Sequence, residues 1–384
     1  MFLLIYFLKK IKGSKFDKYI RLITNYLSPY YYKFSKKIKF TKKSRFVFIC
    51  YGGLGDYILS FPFLIKLSKK YKITIFLDTK FKGIETLLNE RIEVKFYAKN
   101  YLLRELKNFK KENRNLILIQ QSPILEFILF HFFLGMPPTI GFIYKQNQIS
   151  FEGFLFEKKE INFENKLLKY KFLEENIEFI CKKNKFVQHE KQNFNQLKSY
   201  RYSKIPDTPF FILSPTKDPN WSMGFLDTKV YANFIKNIFQ TTNLTPVLVG
   251  SHLDQKIIEK ILINLPSKYN PINLVGKTTI KDLTSLLKET EFVVANDNGV
   301  HHLSNFLNKK TLTLYTFSSY NTFNWHNKNS NYIFKPLYDC MPCVGKENGP
   351  FDNYPFKCPW NTRCKNTINE MDIINKLRKL RWIH

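Results

Sequence analysis

Long apolar runs and acidic residues are both scarce in this 384-residue chain. No stretch is apolar over the roughly 18 residues of a membrane-spanning helix, so the chain is not expected to cross a bilayer. The amino-terminal run from Phe2 to Leu8 is too short, and lysines follow it instead of preceding it, unlike a usual signal peptide. With 31 Asp and Glu against 61 Lys and Arg, the net charge is +30. Such a charge favours anionic partners: nucleic acid, an anionic membrane surface or phosphorylated substrates.

The first 44 residues form a basic segment. Its apolar residues fall at helical spacing among lysines, at Tyr19, Leu22, Ile23, Tyr26 and Leu27. This pattern is typical of a basic helix that lies on an anionic membrane surface. It is equally typical of a basic helix on the protein's own surface, and the sequence leaves both interpretations open.

Only six cysteines are present, and four of them cluster near the carboxyl end. Without an export signal, a disulfide framework is not expected. The cluster has two pairs, Cys340-x2-Cys343 and Cys358-x5-Cys364. Two pairs of thiolates suit a tetrahedral structural zinc or iron ion. The alternative is four reduced thiols in an aromatic-rich loop.

From Arg45 onward, short apolar runs alternate with helical stretches, which predicts parallel sheets covered by helices on both faces. A polar, irregular stretch interrupts the alternation, and a second series of similar size follows it. The sequence therefore predicts an α/β protein with two doubly wound domains. The predicted segments are a basic amino-terminal segment (1–44), a first domain (45–185), a linker (186–206), a second domain (207–335), and a cysteine-bearing tail with a terminal helix (336–384).

A glycine-rich turn follows the first predicted strand. Gly52, Gly53 and Gly55 surround the point where the chain passes from strand to helix, and Asp56 lies at the helix start. Ile58 stands where a dinucleotide fingerprint has its third glycine, and the Lys-Ser/Thr of a triphosphate-binding loop is missing. Asp56 is either a helix cap or a functional carboxylate beside a ligand that passes close to the backbone.

A second turn lies in "VVANDNGVHHLSNFL", between a predicted buried strand and a helix. Asp297 or Asn298 is expected to cap the helix, and Gly299 allows something to approach the backbone. The N–H groups of such a helix start form an anion site. Taken alone, the stretch is also explained by a simple helix cap.

Together, the two turns resemble glycosyltransferase family 9, the lipopolysaccharide heptosyltransferases of the two-lobed GT-B type. The "GGLGD" turn resembles the opening of that family. "DNGVHHLS" resembles its Asp-Ser-Gly-x-x-His-Leu-Ala signature, with matches at Asp297, Gly299, His302 and Leu303. Asn298 stands in place of the signature's Ser. "LSPTKDPNWSM" resembles the segment that opens the second lobe, but Pro219 occupies the position of the family's lysine, so Lys217 is taken as the phosphate-binding residue.

The resemblance implies two facing Rossmann-like domains with an active-site cleft between them. It implies an inverting transfer, without a metal, of a sugar from a nucleotide sugar, with heptose from ADP-heptose as the expected donor. Asp297, Asn298, Gly299 and His302 would bind the donor on the second domain, and Asp56 would be the catalytic base on the acceptor side. The expected acceptor is the lipopolysaccharide core or a lipid-linked relative, which implies a peripheral location on the cytoplasmic face of the inner membrane.

Two other classes of function remain as alternatives. The first is a nucleic-acid-binding protein with a cysteine metal knuckle, but no Lys/Arg-Gly-Phe motif or basic recognition helix is evident, so nucleic acid is not the expected partner. The second is an interaction protein that keeps the transferase fold without the activity. Asp56 and Asp297 are both present, which favours an active enzyme.

Overall fold

The structure is a computed structural model, and it describes residues 44–49, 53–98, 101–113, 115–120, 134, 139–140, 143–145, 148–151, 159–160, 177, 200–216, 225–325, 327–343, 358 and 362–384. The chain divides into two compact units. The first comprises Met1–Gly52, Ser60–Phe163 and Leu168–Gln196, and the second comprises Gly53–Leu59, Glu164–Leu167 and Leu197–His384. The predicted basic segment before Ser44 lies outside the described residues.

A five-stranded parallel sheet forms the centre of the first unit. Its strands are β1 (Arg45–Ile49), β2 (Ile73–Asp78), β3 (Ile92–Tyr97), β4 (Leu116–Gln120) and β5 (Thr139–Ile140), in the order β3-β2-β1-β4-β5. Helix α1 (Leu54–Ser68) follows β1, and α2 (Leu102–Glu112) connects β3 to β4. Two short 3-10 helices, Thr79–Phe81 and Ile84–Leu87, lie between β2 and β3. The order reverses at β1, as in doubly wound folds.

The core of this unit follows from the sequence pattern. Helix α2 buries its apolar residues at a spacing of three to four, which places Leu102, Leu106 and Phe109 on one face. They pack with buried residues of the strands, including Val47, Ile49, Phe76, Leu116 and Leu118. An unexpected feature is a small antiparallel sheet of β6 (Ile143–Lys145), β7 (Gln148–Phe151) and β8 (Lys159–Glu160). Helical spacing of apolar residues predicts a helix from Ile124 to Leu134, and this segment lies outside the described residues, apart from Leu134.

The second unit contains a six-stranded parallel sheet. Its strands are β9 (Phe210–Ser214), β10 (Thr245–Leu248), β11 (Ile272–Asn273), β12 (Val293–Asn296), β13 (Thr311–Tyr315) and β14 (Ser330–Phe334). The spatial order is β11-β10-β9-β12-β13-β14, which is the 3-2-1-4-5-6 order of the Rossmann fold. Strand β14 is an addition to the sequence prediction. Its residues are all partly exposed, so the strand lacks the continuous apolar run that marks its neighbours.

Helices cover this sheet and complete its core. They are α3 (Thr228–Thr241), α4 (Gln255–Ile263), α5 (Ile280–Glu289), α6 (Gly299–Phe306), α7 (Tyr320–Phe323) and the terminal α8 (Glu370–Lys379), with 3-10 helices at His252–Asp254 and Arg363–Asn366. Helix α8 buries Ile373, Ile374 and Leu377 in the same core as β9, β12 and β13. Among the described residues, no helix has both the length and the apolar character needed to cross a membrane.

Candidate functional site

The turn after β12 lies at the point where the order of the second sheet reverses. Strand β12 pairs with the first strand of that sheet, β9, with Ala295 opposite Ser214. In open α/β sheets, ligands bind at the carboxyl ends of the strands where the strand order reverses, because the crossovers there leave toward opposite faces. The residues predicted from the sequence, Asp297 to His302, therefore occupy the usual ligand position of this sheet.

Asn298 fixes the shape of this turn. Its Oδ1 accepts a hydrogen bond from the backbone N–H of His301 (3.0 Å), so it is the N-cap of α6. Its Nδ2 donates to Ser214 Oγ (2.9 Å) and to the Thr216 carbonyl (2.7 Å), which ties the turn to the end of β9. Both the oxygen and the nitrogen of the side-chain amide are therefore hydrogen-bonded to groups of the protein. Asn298 therefore builds the turn with both polar atoms of its side chain, and its predicted part in donor binding stays a prediction.

A buried tyrosine, Tyr231, forms a hydrogen bond with the last residue of β12. The Tyr231 hydroxyl donates to Asn296 Oδ1 (2.5 Å) and accepts from the backbone N–H of Leu226 (3.1 Å). Burial raises the pKa of Tyr231 well above its usual value, so the phenol remains a donor. No sequence pattern indicated this contact, because Tyr231 is 65 residues away from Asn296 along the chain.

Three buried side chains meet just beyond the turn. Asp297 Oδ1 lies 3.6 Å from His301 Nδ1 and 3.5 Å from His302 Nε2. The side chains of Asp297, His301 and His302 are between 0% and 6% exposed. Within the described part of the chain, this is the group of three potential metal ligands whose ligand atoms all lie within 4.8 Å of one another. We call these three residues the Asp–His–His triad.

Two aromatic side chains contact the triad from behind. Trp325 Nε1 donates to His302 Nδ1 (3.0 Å), and the Tyr315 hydroxyl lies 3.5 Å from His301 Nε2. Burial, followed by the negative charge of Asp297 and a contribution from Tyr332, raises the pKa of Tyr315 well above its usual value. Neither aromatic residue was identified from the sequence, since Trp325 is 23 positions from His302 and belongs to no recognisable motif.

Two buried hydroxyl groups lie in the loop that follows β13. Thr316 Oγ1 and Ser318 Oγ are enclosed and have no hydrogen-bond partner among the described residues. Buried polar groups normally have such partners, and exceptions call for an explanation. Because β13 is adjacent to β12, these hydroxyls lie at the same carboxyl edge of the sheet as the triad.

The glycines of the two predicted turns allow close approach of protein side chains. A Cβ atom on Gly55 would lie 3.1 Å from His302 Nε2 and 3.3 Å from His302 Cγ, with Cδ2 nearer still. A Cβ on Gly299 would lie 2.9 Å from Cδ2 of Leu54. Residues 53–59 belong to the second unit, so both contacts lie within that unit. We expected Gly299 to open the backbone toward a ligand, but the space beside its Cα is occupied by Leu54.

Asp56 lies half-buried in the first turn of α1. Its Oδ2 accepts a hydrogen bond from the backbone N–H of Gly53 (3.0 Å), as an acidic residue does at the third helical position of a capping box. Gly53 itself is exposed, and no atom of the described residues lies within 4 Å of the position that a Cβ would take on it. The capping role of Asp56 is therefore present in the structure. Gly52 and Lys217, which were also predicted as site residues, lie outside the described residues.

The four tail cysteines come together as free thiols. Burial, followed by the proximity of Cys340, Cys364 and Cys358, raises the pKa of Cys343 to about 12. Burial and the neighbouring Cys358 and Cys340 likewise raise the pKa of Cys364 to about 11. The Cys343 N–H also donates to the Phe317 carbonyl (2.6 Å), which joins this cluster to the loop after β13.

This set of four thiols fits the chemistry of a structural zinc or iron site. The donors are all sulfur, and they come from two segments, as in tetrahedral sites. In the described part of the chain, their sulfur atoms do not form one of the groups that lie within 4.8 Å of one another, so an ion would draw them closer. Burial outweighs the lowering effect of Lys365 on the pKa of Cys364, and a bound metal ion would lower the pKa values of both thiols.

Comparisons with known proteins agree with the geometry. The profile of glycosyltransferase family 9 (heptosyltransferase) matches residues 129–353, more than half of the chain. Lipooligosaccharide heptosyltransferase 2 of Campylobacter jejuni is 28% identical over 110 residues, which cover 28% of this chain and 31% of that protein. This alignment thus spans about a third of the relative's length.

Solved structures show the same fold. The structure of E. coli ADP-heptose lps heptosyltransferase II matches with a TM-score of 0.63 at 17% identity, covering 88% of this chain and 98% of that one. The iron-containing dodecameric glycosyltransferase TibC from enterotoxigenic E. coli matches with a TM-score of 0.52 at 11% identity, covering 88% and 76%. The predicted α/β fold of the GT-B heptosyltransferases is confirmed. With the profile match, this chain belongs to glycosyltransferase family 9, the heptosyltransferase family.

Proposed function

We propose that this protein is an inverting glycosyltransferase that moves a sugar, heptose from ADP-heptose, onto an acceptor of the lipopolysaccharide core or a related glycolipid. The observation that carries the proposal is the position of the Asp297–His302 turn. It lies where a sheet in Rossmann order binds nucleotides, and it carries the residues that match the family signature. Family membership and the likeness to the E. coli ADP-heptose transferase support ADP-heptose as the donor.

The donor pyrophosphate would bind at the start of α6. Asn298 caps the third helical N–H, that of His301, which leaves the N–H groups of Gly299 and Val300 at the helix end. Such N–H groups, together with the helix dipole, stabilise the negative charge that grows as the nucleoside diphosphate leaves. The hydroxyls of Thr316 and Ser318 would find acceptors on the same ligand. Lys217 would add a positive charge.

Asp56 would act as the general base. It would take the proton from the acceptor hydroxyl as the acceptor oxygen attacks the anomeric carbon from the side opposite the leaving diphosphate. Attack from that side inverts the anomeric centre. One carboxylate oxygen of Asp56 accepts a hydrogen bond from the Gly53 N–H, which orients the carboxylate at the start of α1. Because backbone amides would stabilise the leaving group, the transfer itself needs no metal.

The tail cysteines would have a structural role. Cys340, Cys343, Cys358 and Cys364 would hold one zinc or iron ion, which would fix the tail against the loop after β13 through the Cys343–Phe317 hydrogen bond. TibC, a protein of similar fold, contains iron, and this supports the presence of a metal in the present chain.

Donor binding is tested by thermal shift with ADP-, UDP- and GDP-sugars. A ligand at about 100 times its Kd stabilises the folded state by about 2.7 kcal/mol, so ADP-heptose should raise Tm by several degrees. UDP- and GDP-sugars should raise it less. If no nucleotide sugar changes Tm, the protein is not a transferase of this kind, and the inactive interaction protein becomes the better explanation.

The acceptor implies an anionic membrane surface, on the cytoplasmic face of the inner membrane. Residues 1–44 contain twelve Lys or Arg and one Asp, and each basic residue near an anionic surface contributes about 1 kcal/mol. Deleting these residues should release the protein from anionic vesicles at moderate salt, while donor binding persists. The control is the full chain with Lys256→Gln and Lys260→Gln, which removes exposed charges from α4. Equal co-sedimentation of the deletion variant and the full chain would contradict the proposal.

A further inference from the structure

The Asp–His–His triad has two opposite chemical interpretations. Two imidazoles and one carboxylate are the ligand set of many metal sites, and the three ligand atoms are close enough for an ion. Alternatively, the two imidazoles carry protons toward Asp297 and offer no lone pair to a metal. Both interpretations use the ring nitrogens that face Asp297. The hydrogen bonds at the opposite ring nitrogens, His302 Nδ1 and His301 Nε2, therefore decide between them.

The hydrogen bond from Trp325 determines which ring nitrogen of His302 carries the hydrogen. An indole N–H can only donate, so the 3.0 Å bond from Trp325 Nε1 requires a lone pair on His302 Nδ1. A neutral imidazole with a lone pair on Nδ1 carries its hydrogen on Nε2, the atom that faces Asp297 Oδ1 at 3.5 Å. A histidine that binds metal through Nε2 needs the reverse, with Nδ1–H donating to an outer acceptor. The partner behind His302 is therefore of the wrong kind for a metal site.

The surroundings of His301 are consistent with the same arrangement. Its Nε2 lies 3.5 Å from the Tyr315 hydroxyl, a buried phenol that remains protonated. When that hydroxyl donates to Nε2, the hydrogen of His301 is on Nδ1, the atom 3.6 Å from Asp297 Oδ1. In this arrangement, one ring nitrogen of each imidazole accepts a hydrogen bond from an aromatic side chain, and the other ring nitrogen carries a proton that faces Asp297.

We infer that Trp325 is a positioning residue that fixes His302 as the Nε2–H tautomer, so that the triad holds protons around Asp297 and does not bind a metal ion. The role of His302 rests on the proposed function: its Nε2–H would donate a hydrogen bond, in a fixed direction, at the site that binds the nucleotide sugar. At 3.5 Å the contact between His302 and Asp297 is long for a hydrogen bond, so the Nε2–H keeps its capacity to donate to an oxygen of a bound nucleotide sugar.

The direct test is nitrogen NMR of the full-length protein labelled with ¹⁵N-histidine. The chain contains seven histidines, and a His302→Gln variant identifies the signals of His302. We expect a protonated nitrogen at Nε2 and an unprotonated one at Nδ1, both unchanged when Zn²⁺ is added. A proton on Nδ1, or loss of the Nε2–H signal on adding Zn²⁺, would overturn the inference.

A matched pair of variants tests the role of Trp325. Trp325→Phe keeps an aromatic ring but removes the N–H, so both tautomers of His302 should appear, and the affinity for ADP-heptose should fall by about tenfold. Trp382→Phe is the control, because Trp382 is also half-buried in this unit and packs on Phe292, away from the triad. Equal tautomer populations and equal affinities in the two variants would overturn the positioning role.

The outcomes separate this inference from the proposed function. The tautomer is read without any donor, so it stands or falls on the NMR signals alone. An Nε2–H tautomer in a protein that binds no nucleotide sugar would reject the proposed function and keep the tautomer assignment. Donor binding with an Nδ1–H tautomer would do the reverse.

Discussion

The turns after β1 and β12 have the same place in their sheets, but their side chains differ in burial. Each follows the strand at which the order of its sheet reverses. In the turn after β1, Gly53 is exposed and Asp56 is half-buried, with the Gly53 N–H as a backbone partner. In the turn after β12, Asp297 and both histidines are buried, and Asn298 ties the turn to β9.

This difference suggests a division of labour. A general base must reach a proton on a substrate that comes and goes, which suits an accessible carboxylate on a helix start. A site that stabilises a leaving diphosphate must hold its hydrogen-bond donors in place before the reaction begins. A turn whose side chains are enclosed and hydrogen-bonded suits this task.

The largest effect is expected from Asp56→Asn. Asparagine keeps the acceptor for the Gly53 N–H, so Tm should stay the same, but it removes the basicity and should lower kcat by about 10² to 10⁴. Affinity for ADP-heptose should hardly change. The control is Asp227→Asn, the same substitution at the N-cap of α3. Rate assays and calorimetric titration measure the two quantities, and a fully active Asp56→Asn enzyme would leave Asp56 as a cap only.

Gly55→Ala should have the next largest effect. Its new methyl group would press on the His302 ring and displace the Nε2–H, and a shift of about 1 Å in such a group costs up to about 100-fold in rate. Gly53→Ala is the matched control, because no atom of the described residues lies within 4 Å of its added Cβ. Alanine also favours a helix by about 1 kcal/mol at Gly55, so loss of activity without loss of stability is the expected signature. Equal activity of the two variants would show that the close contact with His302 is unimportant.

Cys343→Ser tests whether the tail supports the loop after β13. Wild-type protein should contain about one zinc or iron per chain, and the variant should lose this metal and melt at least about 3 °C lower. Cys181→Ser, outside the tail, should retain the metal. Elemental analysis and thermal denaturation give both values. Metal-free wild-type protein with an unchanged Tm in the variant would exclude the structural site.

The smallest effect concerns Asn298. Asn298→Ala should cost about 1 kcal/mol of stability, because it removes the cap of α6. Asn298→Ser restores the residue of the family signature and a capping oxygen, so it should cost less, although it loses the bonds to Ser214 and Thr216. Chemical denaturation measures the difference. If both variants are equally stable, the cap contributes little to the enclosed turn.

The predictable parts of the molecule are those determined by local sequence. The sequence pattern predicts a helix from Ile280 to Glu289, and α5 has these bounds. Thr279 and Asp282 form a capping box at its start. The β12–α6 turn was also predicted, because Asn298 is a favourable N-cap residue and follows a buried strand. Strand β14 was missed because it is half-exposed at a sheet edge.

Long-range contacts could not be predicted from the sequence. Trp325 meets His302 only because the chain returns after β13, and neither residue has a local feature that indicates the other. Leu54, from a distant part of the chain, fills the space beside Gly299, so a larger side chain at position 299 would strain this packing. A single sequence also does not indicate the tautomer of a histidine, which depends on the donor behind it.

The most direct test of the donor site at the start of α6 is a crystal structure of the full chain with ADP-heptose bound. We expect pyrophosphate oxygens within about 3.2 Å of the backbone nitrogens of Gly299 and Val300, at the start of α6. We also expect the His302 Nε2–H to point to an oxygen of the ligand. Nucleotide density elsewhere, with the start of α6 empty, would contradict the assignment of this turn as the donor site.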